Sequence, residues 1–211
     1  MNFKSLVFKI KMLARKFLGK PYDVERYWTE RGKFYRKIEE AKRTQPLDQI
    51  ERLLLQVLNG QDFNSVLDFG CGYGKHLKVL AQTFKNKRLV GIDVSSSMLK
   101  QAENYVSGNV ELKKTDGLTL PFGDKSFDVT YTCHVLIHNP PENIERIVEE
   151  IKRVTRKFSV HIESTVKSSP CARHYFCHNY DSIFKASGGE PQLLYEFGNQ
   201  GKVYLVKWRT Q

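Results

Sequence analysis

The segment Val66-Leu67-Asp68-Phe69-Gly70-Cys71-Gly72-Tyr73-Gly74 restricts the chain to few folds. A short apolar run leads into three glycines at alternate positions, then into Lys75 and a stretch with apolar residues three and four apart. Glycine at such a bend lets the backbone turn tightly and lie against a bound ligand where a Cβ would stand in the way. A buried strand, a glycine loop and a helix, in that order, open a nucleotide-type α/β sheet.

The rest of the chain keeps this rhythm. Apolar spacing predicts strands at 65–69, 88–92, 110–113, 127–131 and 158–162. It predicts helices between them at 75–84, at 96–105 with Ser95 as N-cap, and from about Pro141 to Arg156, where proline suits a first turn. Strands that alternate with helices pair in parallel, and right-handed crossovers wind them into a Rossmann-like, doubly wound α/β sheet. The end departs from this pattern, because runs at 192–197 and 202–208 flank Gly198-Asn199-Gln200-Gly201 and suit an antiparallel hairpin. Upstream, a helix at 47–58 stops at Asn59-Gly60. A chain of 211 residues suits one core with an appendage: an N-terminal helical cap or lid at 1–45, basic and aromatic, and a Rossmann-like domain at 46–211.

Lys and Arg total 34 against 23 Asp and Glu, a formal charge of +11 that favours an anionic partner: nucleic acid, a phosphorylated metabolite or a lipid surface. The basic residues are scattered and no RNA-binding module is visible, so nucleic acid is the less favoured of these. In residues 1–18, Phe3, Leu6, Val7, Ile10, Leu13 and Phe17 fall at helical spacing among Lys4, Lys9, Lys11, Arg15 and Lys16. This basic amphipathic stretch reads as a peripheral contact with an anionic membrane, as a mitochondrial presequence, or as a helix that buries its stripe against the domain. No run of eighteen uncharged apolar residues occurs, and the four cysteines lack the spacing of a secreted framework. The expectation is a cytoplasmic protein with a peripheral membrane contact as a further option.

A dinucleotide site wants G-x-G-x-x-G, but here the third glycine comes one residue early, at Gly74, and Lys75 follows. Asp68 at the strand end repels a diphosphate and suits a ligand that carries an ammonium group, as S-adenosylmethionine does. Asp93 ends the second strand, where a carboxylate can accept from both ribose hydroxyls. Asp116, in Thr115-Asp116-Gly117, follows the third strand and is placed for an adenine amino group. Each acid alone reads equally well as a turn or cap residue; three after successive strands, at one sheet edge, do not.

The stretches VLDFGCGYGKHL, VGIDVSSSMLKQA and DGLTLPFGDKSFDVTYTCHVLIHN resemble the successive motifs of class I S-adenosylmethionine-dependent methyltransferases, over about residues 65–163. Within that family the chain is most similar to the branch acting on sugars, natural products and other small molecules. The resemblance implies S-adenosyl-L-methionine as cofactor. It implies that Asp68, Gly70 and Gly72 surround the methionine moiety, that Asp93 holds the ribose, and that Asp116, Gly117 and Leu118 frame the adenine. Cys133 and His134 would run beneath the methionine end, and Cys71, Val94 and Met98 are counted with the cofactor-binding set.

Methyl transfer from a sulfonium is in-line, so the protein must mainly align and desolvate the acceptor. A hydroxyl acceptor also wants a base, for which His138 and His134 are the candidates; the plainer alternative is that they pack or bond backbone. Tyr27, Trp28 and Arg31 in the cap, with His174, His178 and Tyr180 in a loop after the fifth strand, are expected to face the acceptor; for the cap residues, plain packing of a capping helix is the alternative. Cys171, His174, Cys177 and His178 do not have the spacing of a structural zinc site, and no metal is expected. The expected function is methyl transfer to a small molecule, such as a hydroxyl of a sugar or other metabolite. RNA methylation, tRNA included, and a non-catalytic partner subunit that binds the same cofactor are the alternatives.

Overall fold

A computed structural model describes residues 22–164, 174–197 and 201–209. The segment 1–18, with its three readings, lies outside these residues, as does Cys171. Seven strands form one sheet: β1 (Ser65–Phe69), β2 (Arg88–Asp93), β3 (Val110–Lys114), β4 (Phe127–Cys133), β5 (Thr155–Ser164), β6 (Gly189–Glu196) and β7 (Gly201–Trp208), in the order 3-2-1-4-5-7-6. The first five run parallel, and β7 is antiparallel to both β5 and β6. Every residue of β1, and all of β4 before Cys133, is buried, as a strand covered on both faces requires. By contrast β6 is an edge, exposed along most of its length and carrying Pro191, which an edge tolerates. The order turns back between β2 and β4 on either side of β1, and such a switch point opens a crevice at the carboxyl ends of the strands.

Among the described residues six α-helices pack around the sheet: α1 (Val24–Lys42), α2 (Gln49–Asn59), α3 (Lys75–Thr83), α4 (Ser96–Tyr105), α5 (Pro141–Val154) and α6 (Tyr180–Ala186). Local chemistry sets their starts. A capping box of Asp48 and Glu51 opens α2, Ser95 accepts the Met98 N–H at the head of α4, and Pro141 begins α5. Leu54, Leu58, Leu77, Leu80 and Tyr131 build a core on one face of the sheet, and Ile144, Ile147, Ile151 and Phe184 build another on the opposite face.

Three elements depart from the sequence reading, the first being β6, which begins at Gly189 and not at 192. Strand β5 starts at Thr155, directly where α5 ends, and so is longer than 158–162. The stretch read as a loop through Tyr180 passes into α6, capped by the Asn179 side chain, which accepts the Ser182 N–H at 3.2 Å. Tyr180 and Phe184 anchor that short helix in the core, which outweighs its weak local signal.

Helix α1 docks on α4 through backbone. Ser97 Oγ donates to the Thr29 carbonyl at 2.6 Å and Gln101 Nε2 donates to the Gly32 carbonyl. Gly32 permits the approach, since a Cβ there would lie 2.5 Å from Ser97 Oγ.

Candidate active site

A cavity of about 400 Å³ opens at the carboxyl ends of β1, β2 and β4, and Val24, Trp28, Tyr35 and Glu39 of α1 line it from one side. The glycine loop makes part of the opposite wall. Gly70 and Gly72 have φ of +79° and +55°, where side chains with a Cβ are strained. A Cβ on Gly70 would meet Val135 at 2.4 Å, whereas one on Gly72 would meet nothing within 4 Å and would enter the cavity. The N–H groups of Gly70 and Cys71 both donate to the Ile92 carbonyl, at 2.8 and 2.9 Å, which ties the loop to β2.

The three acids fare differently. Asp93 lines the cavity, and its two carboxylate oxygens accept the Gly72 and Ser95 N–H groups at 2.8 Å each. Burial nevertheless outweighs those bonds and pushes its carboxyl up to about 6. Asp68 lies just behind the lining, 2 % exposed, and its Oδ2 has no hydrogen-bond partner among the described residues. Burial, and then the nearby Asp93, hold Asp68 well above the usual carboxylate range. Asp116 lines the cavity but is exposed, and its Oδ1 accepts the Leu118 N–H at 2.9 Å, as a turn residue does. Of the other residues expected at the cofactor, Gly70, Cys71, Gly72, Val94, Met98, Gly117, Cys133 and His134 line the same cavity, while Leu118 packs against the second core.

A cluster of rings closes one end. Trp28 and His138 line the cavity and meet edge-on. Tyr27 and His174 sit behind them, stacked with centroids 4.4 Å apart, and the Tyr27 hydroxyl lies 3.0 Å from His174 Nε2. The Arg31 guanidinium stands 5.1 Å from the Tyr35 ring and 5.8 Å from Trp28, outside the lining. His138 Nδ1–H donates to the His174 carbonyl at 2.8 Å, which leaves Nε2 with its lone pair. Burial drives His138 down to about 3 and His174 to about 4, so both rings are neutral at neutral pH. Like Tyr27, Arg31 and His174, two further residues expected at the acceptor lie outside the lining. His178 is not in the lining; its Nε2–H donates to the Asn139 carbonyl at 2.9 Å and braces the turn that bears His138. Tyr180 does not face the cavity; it is 2 % exposed in the second core and its hydroxyl donates to the Ser164 carbonyl.

His76 is a lining residue that the sequence reading missed. Its Nδ1 lies 2.8 Å from the hydroxyl of fully buried Tyr131, and its Nε2 is buried in the cavity wall without a partner among the described residues. Burial, then the Lys75 ammonium, lower it to about 3. Lys75 in turn pairs with Asp48, and both line the cavity. No pattern marks His76, which is one of many polar residues on an amphipathic helix. Tyr35 was legible: it falls two turns after Trp28 on one helix face. Among the described residues no group of three His, Cys, Asp or Glu side chains is placed to hold a metal.

The cavity fits S-adenosylmethionine on two observations: an orphaned, buried carboxylate oxygen at Asp68 that suits an ammonium, and open space over Gly72 that a Cβ would fill. Sheet order, glycine loop and acids together define a class I methyltransferase domain. Comparison with known proteins agrees. A family model described as a methyltransferase domain matches residues 66–157. An O-methyltransferase of Penicillium expansum is 30% identical over 135 residues, covering 61% of this chain and 46% of its own. A sterol 24-C-methyltransferase of Gibberella zeae is 27% identical over 150 residues, covering 68% and 39%. The chain thus spans less than half the length of these two relatives. Among solved structures, magnesium protoporphyrin IX methyltransferase from Synechocystis, with bound S-adenosylhomocysteine, superposes with a TM-score of 0.66 at 16% identity, covering 88% of this chain and 98% of its own. Residues 66–157 therefore match a methyltransferase domain, carried on the fold of the class I S-adenosylmethionine-dependent methyltransferases.

Proposed function

We propose that this protein binds S-adenosylmethionine in the cavity and methylates a small-molecule acceptor that lies against Trp28 and His138. The observation that carries the reading is the Asp68 carboxyl, buried behind the glycine loop with one oxygen unpaired and no cation paired to it among the described residues. A ligand ammonium supplies that partner. Asp93 offers its remaining lone pairs to the ribose while its bonds to Gly72 and Ser95 hold the loop in shape. Asp116 and Gly117 bound the adenine end. Bound there, S-adenosylmethionine supplies a methyl group already activated on a sulfonium. What the protein adds is alignment, exclusion of water by α1, and a neutral His138 whose Nε2 can take a hydrogen bond from an acceptor hydroxyl. His134, in the same lining, is the second candidate for that role.

The small-molecule class is supported by what the relatives are named for, O-methylation and sterol methylation. Incubating purified protein with a metabolite extract and S-adenosylmethionine labelled on its methyl tests it: labelled small molecules support the reading, and label found only in RNA replaces it. RNA is the second reading because of the +11 charge, and a steep salt dependence of tRNA binding would favour it. Residues 1–18 are proposed to rest on an anionic membrane surface. Their deletion should then abolish sedimentation with phosphatidylserine vesicles. Among the described residues no helix is long and apolar enough to cross a membrane.

A further inference from the structure

Glu163, near the end of β5, is fully buried, and the proposed reaction gives it no part. Its Oε1 accepts the Thr132 hydroxyl at 2.8 Å and the Val135 N–H at 3.2 Å, and its Oε2 accepts the Ile137 N–H at 3.4 Å. Thr132 Oγ1 lies 2.9 Å from His161 Nδ1, and His161 Nε2 lies 2.7 Å from the Ser159 hydroxyl. In its ionised form Glu163 only accepts, so Thr132 donates to it. Thr132 must then accept the His161 Nδ1–H, which leaves Nε2 to accept from Ser159. All four side chains are 0 % exposed, and their bonds run in one direction through the sheet.

A buried carboxylate persists only where hydrogen bonds compensate its lost hydration. Here the backbone donors come from one place. Val135 and Ile137 belong to the short connection around the 3-10 turn Leu136–His138, and His134, Val135, His138 and Asn139 of that connection line the cavity. His134 heads it with φ +53°, a conformation that residues with a Cβ rarely adopt and that needs support from its surroundings. From the far side the connection is held by His138 on the His174 carbonyl and by His178 on the Asn139 carbonyl. From within the sheet, Glu163 holds it.

We propose that Glu163 is a positioning residue: it anchors the connection 134–139 from behind the cavity wall and thereby sets the place and tautomer of His138. The meaning of this for ligands rests on the functional reading above, whereas the hold on the backbone does not. Glu163→Gln keeps the shape but turns one acceptor into a donor that cannot take an amide N–H. Nitrogen-15 NMR of the histidine rings reads the His138 tautomer, and amide hydrogen exchange reads Val135 and Ile137. In the unaltered protein His138 should carry its proton on Nδ1 and both amides should be protected. In Glu163→Gln those two amides should exchange about tenfold faster, the loss of one bond to a charged acceptor, and His138 should move toward the Nε2–H form. The amides of β1 and β2 should keep their protection. If Glu163→Gln does not fold, Thr132→Val, which removes one bond to the carboxylate, should give the same changes in smaller degree. An unchanged tautomer and unchanged exchange in the folded variant overturn the proposal. A thermal shift with S-adenosylhomocysteine on the unaltered protein keeps the two readings apart. Without that shift, changes at the connection still support the hold by Glu163, and it is the functional reading that fails.

Discussion

Trp28 of α1 and His138 after β4 meet edge-on, with ring centroids 4.8 Å apart, and so join the helical cap to the far wall of the cavity. A ligand beneath that contact would lie against α1. Trp28→Ala should therefore weaken S-adenosylhomocysteine binding about tenfold, chiefly through faster release, since it removes a large aromatic contact. Stopped-flow displacement measures this, and an unchanged dissociation rate would show that α1 does not retain the ligand.

Gly70 and Gly72 separate two uses of glycine. Gly70→Ala drives a methyl group into Val135, so its main effect should be on folding, a loss of about 2 kcal/mol from strain and overpacking. Gly72→Ala collides with no protein atom, so it should cost about 1 kcal/mol of stability and yet lose most ligand affinity. Melting curves with and without S-adenosylhomocysteine distinguish them, and equal ligand shifts in Gly72→Ala and the unaltered protein would place the ligand elsewhere.

Asp93→Ala should lower S-adenosylhomocysteine affinity by about 3 kcal/mol, because it removes a charged acceptor and loosens the Gly72 and Ser95 amides. With its carboxyl raised to about 6 by burial, Asp93 holds a proton at pH 5 and is charged at pH 7. Hydroxyl donors prefer the charged form, so affinity should rise across that interval. Isothermal calorimetry at the two pH values checks the sign, and a flat profile would remove Asp93 from the site.

Much of this was legible in sequence because the fold's signals are local. The pattern from Ser65 to Phe69, the glycines at 70, 72 and 74, and Ser95 as a cap all act within a few residues of themselves. The acids at or just past the carboxyl ends of β1, β2 and β3 were legible together because parallel strands bring those ends to one edge. What was hidden depends on distant contacts. Helix α6 exists because Tyr180 and Phe184 fill the second core, and Tyr180 was assigned to the acceptor because a chain with no strong period reads as loop. His76 and Glu163 gain meaning only from Tyr131, 55 residues away, and from the amides of Val135 and Ile137, 28 and 26 residues away.

Acid stability should follow the buried histidines. His161, lowered to about 3 by burial alone, stays neutral in the folded protein while the unfolded chain takes up a proton below about 6.5. Its contribution is complete above that value and is lost as pH falls toward 3. Glu163, raised to about 7, acts with the opposite sign: its contribution is present at low pH and lost as pH rises through 7. His161→Gln, which can keep both hydroxyl partners, should reduce the destabilisation between pH 7 and pH 5, on the order of 1–2 kcal/mol. Urea unfolding at both pH values measures it, and an equal loss in the two proteins would place the acid sensitivity elsewhere.

The most direct measurement is calorimetry of the purified protein with S-adenosylmethionine and, separately, with NAD, using Asp68→Asn as the paired variant. An orphaned, buried acid at Asp68 predicts binding of S-adenosylmethionine and none of NAD, with affinity lost in Asp68→Asn while its melting temperature is kept, because a neutral amide replaces a carboxyl whose charged form burial already disfavours. Binding of NAD, or S-adenosylmethionine affinity that survives unchanged in Asp68→Asn, would contradict it.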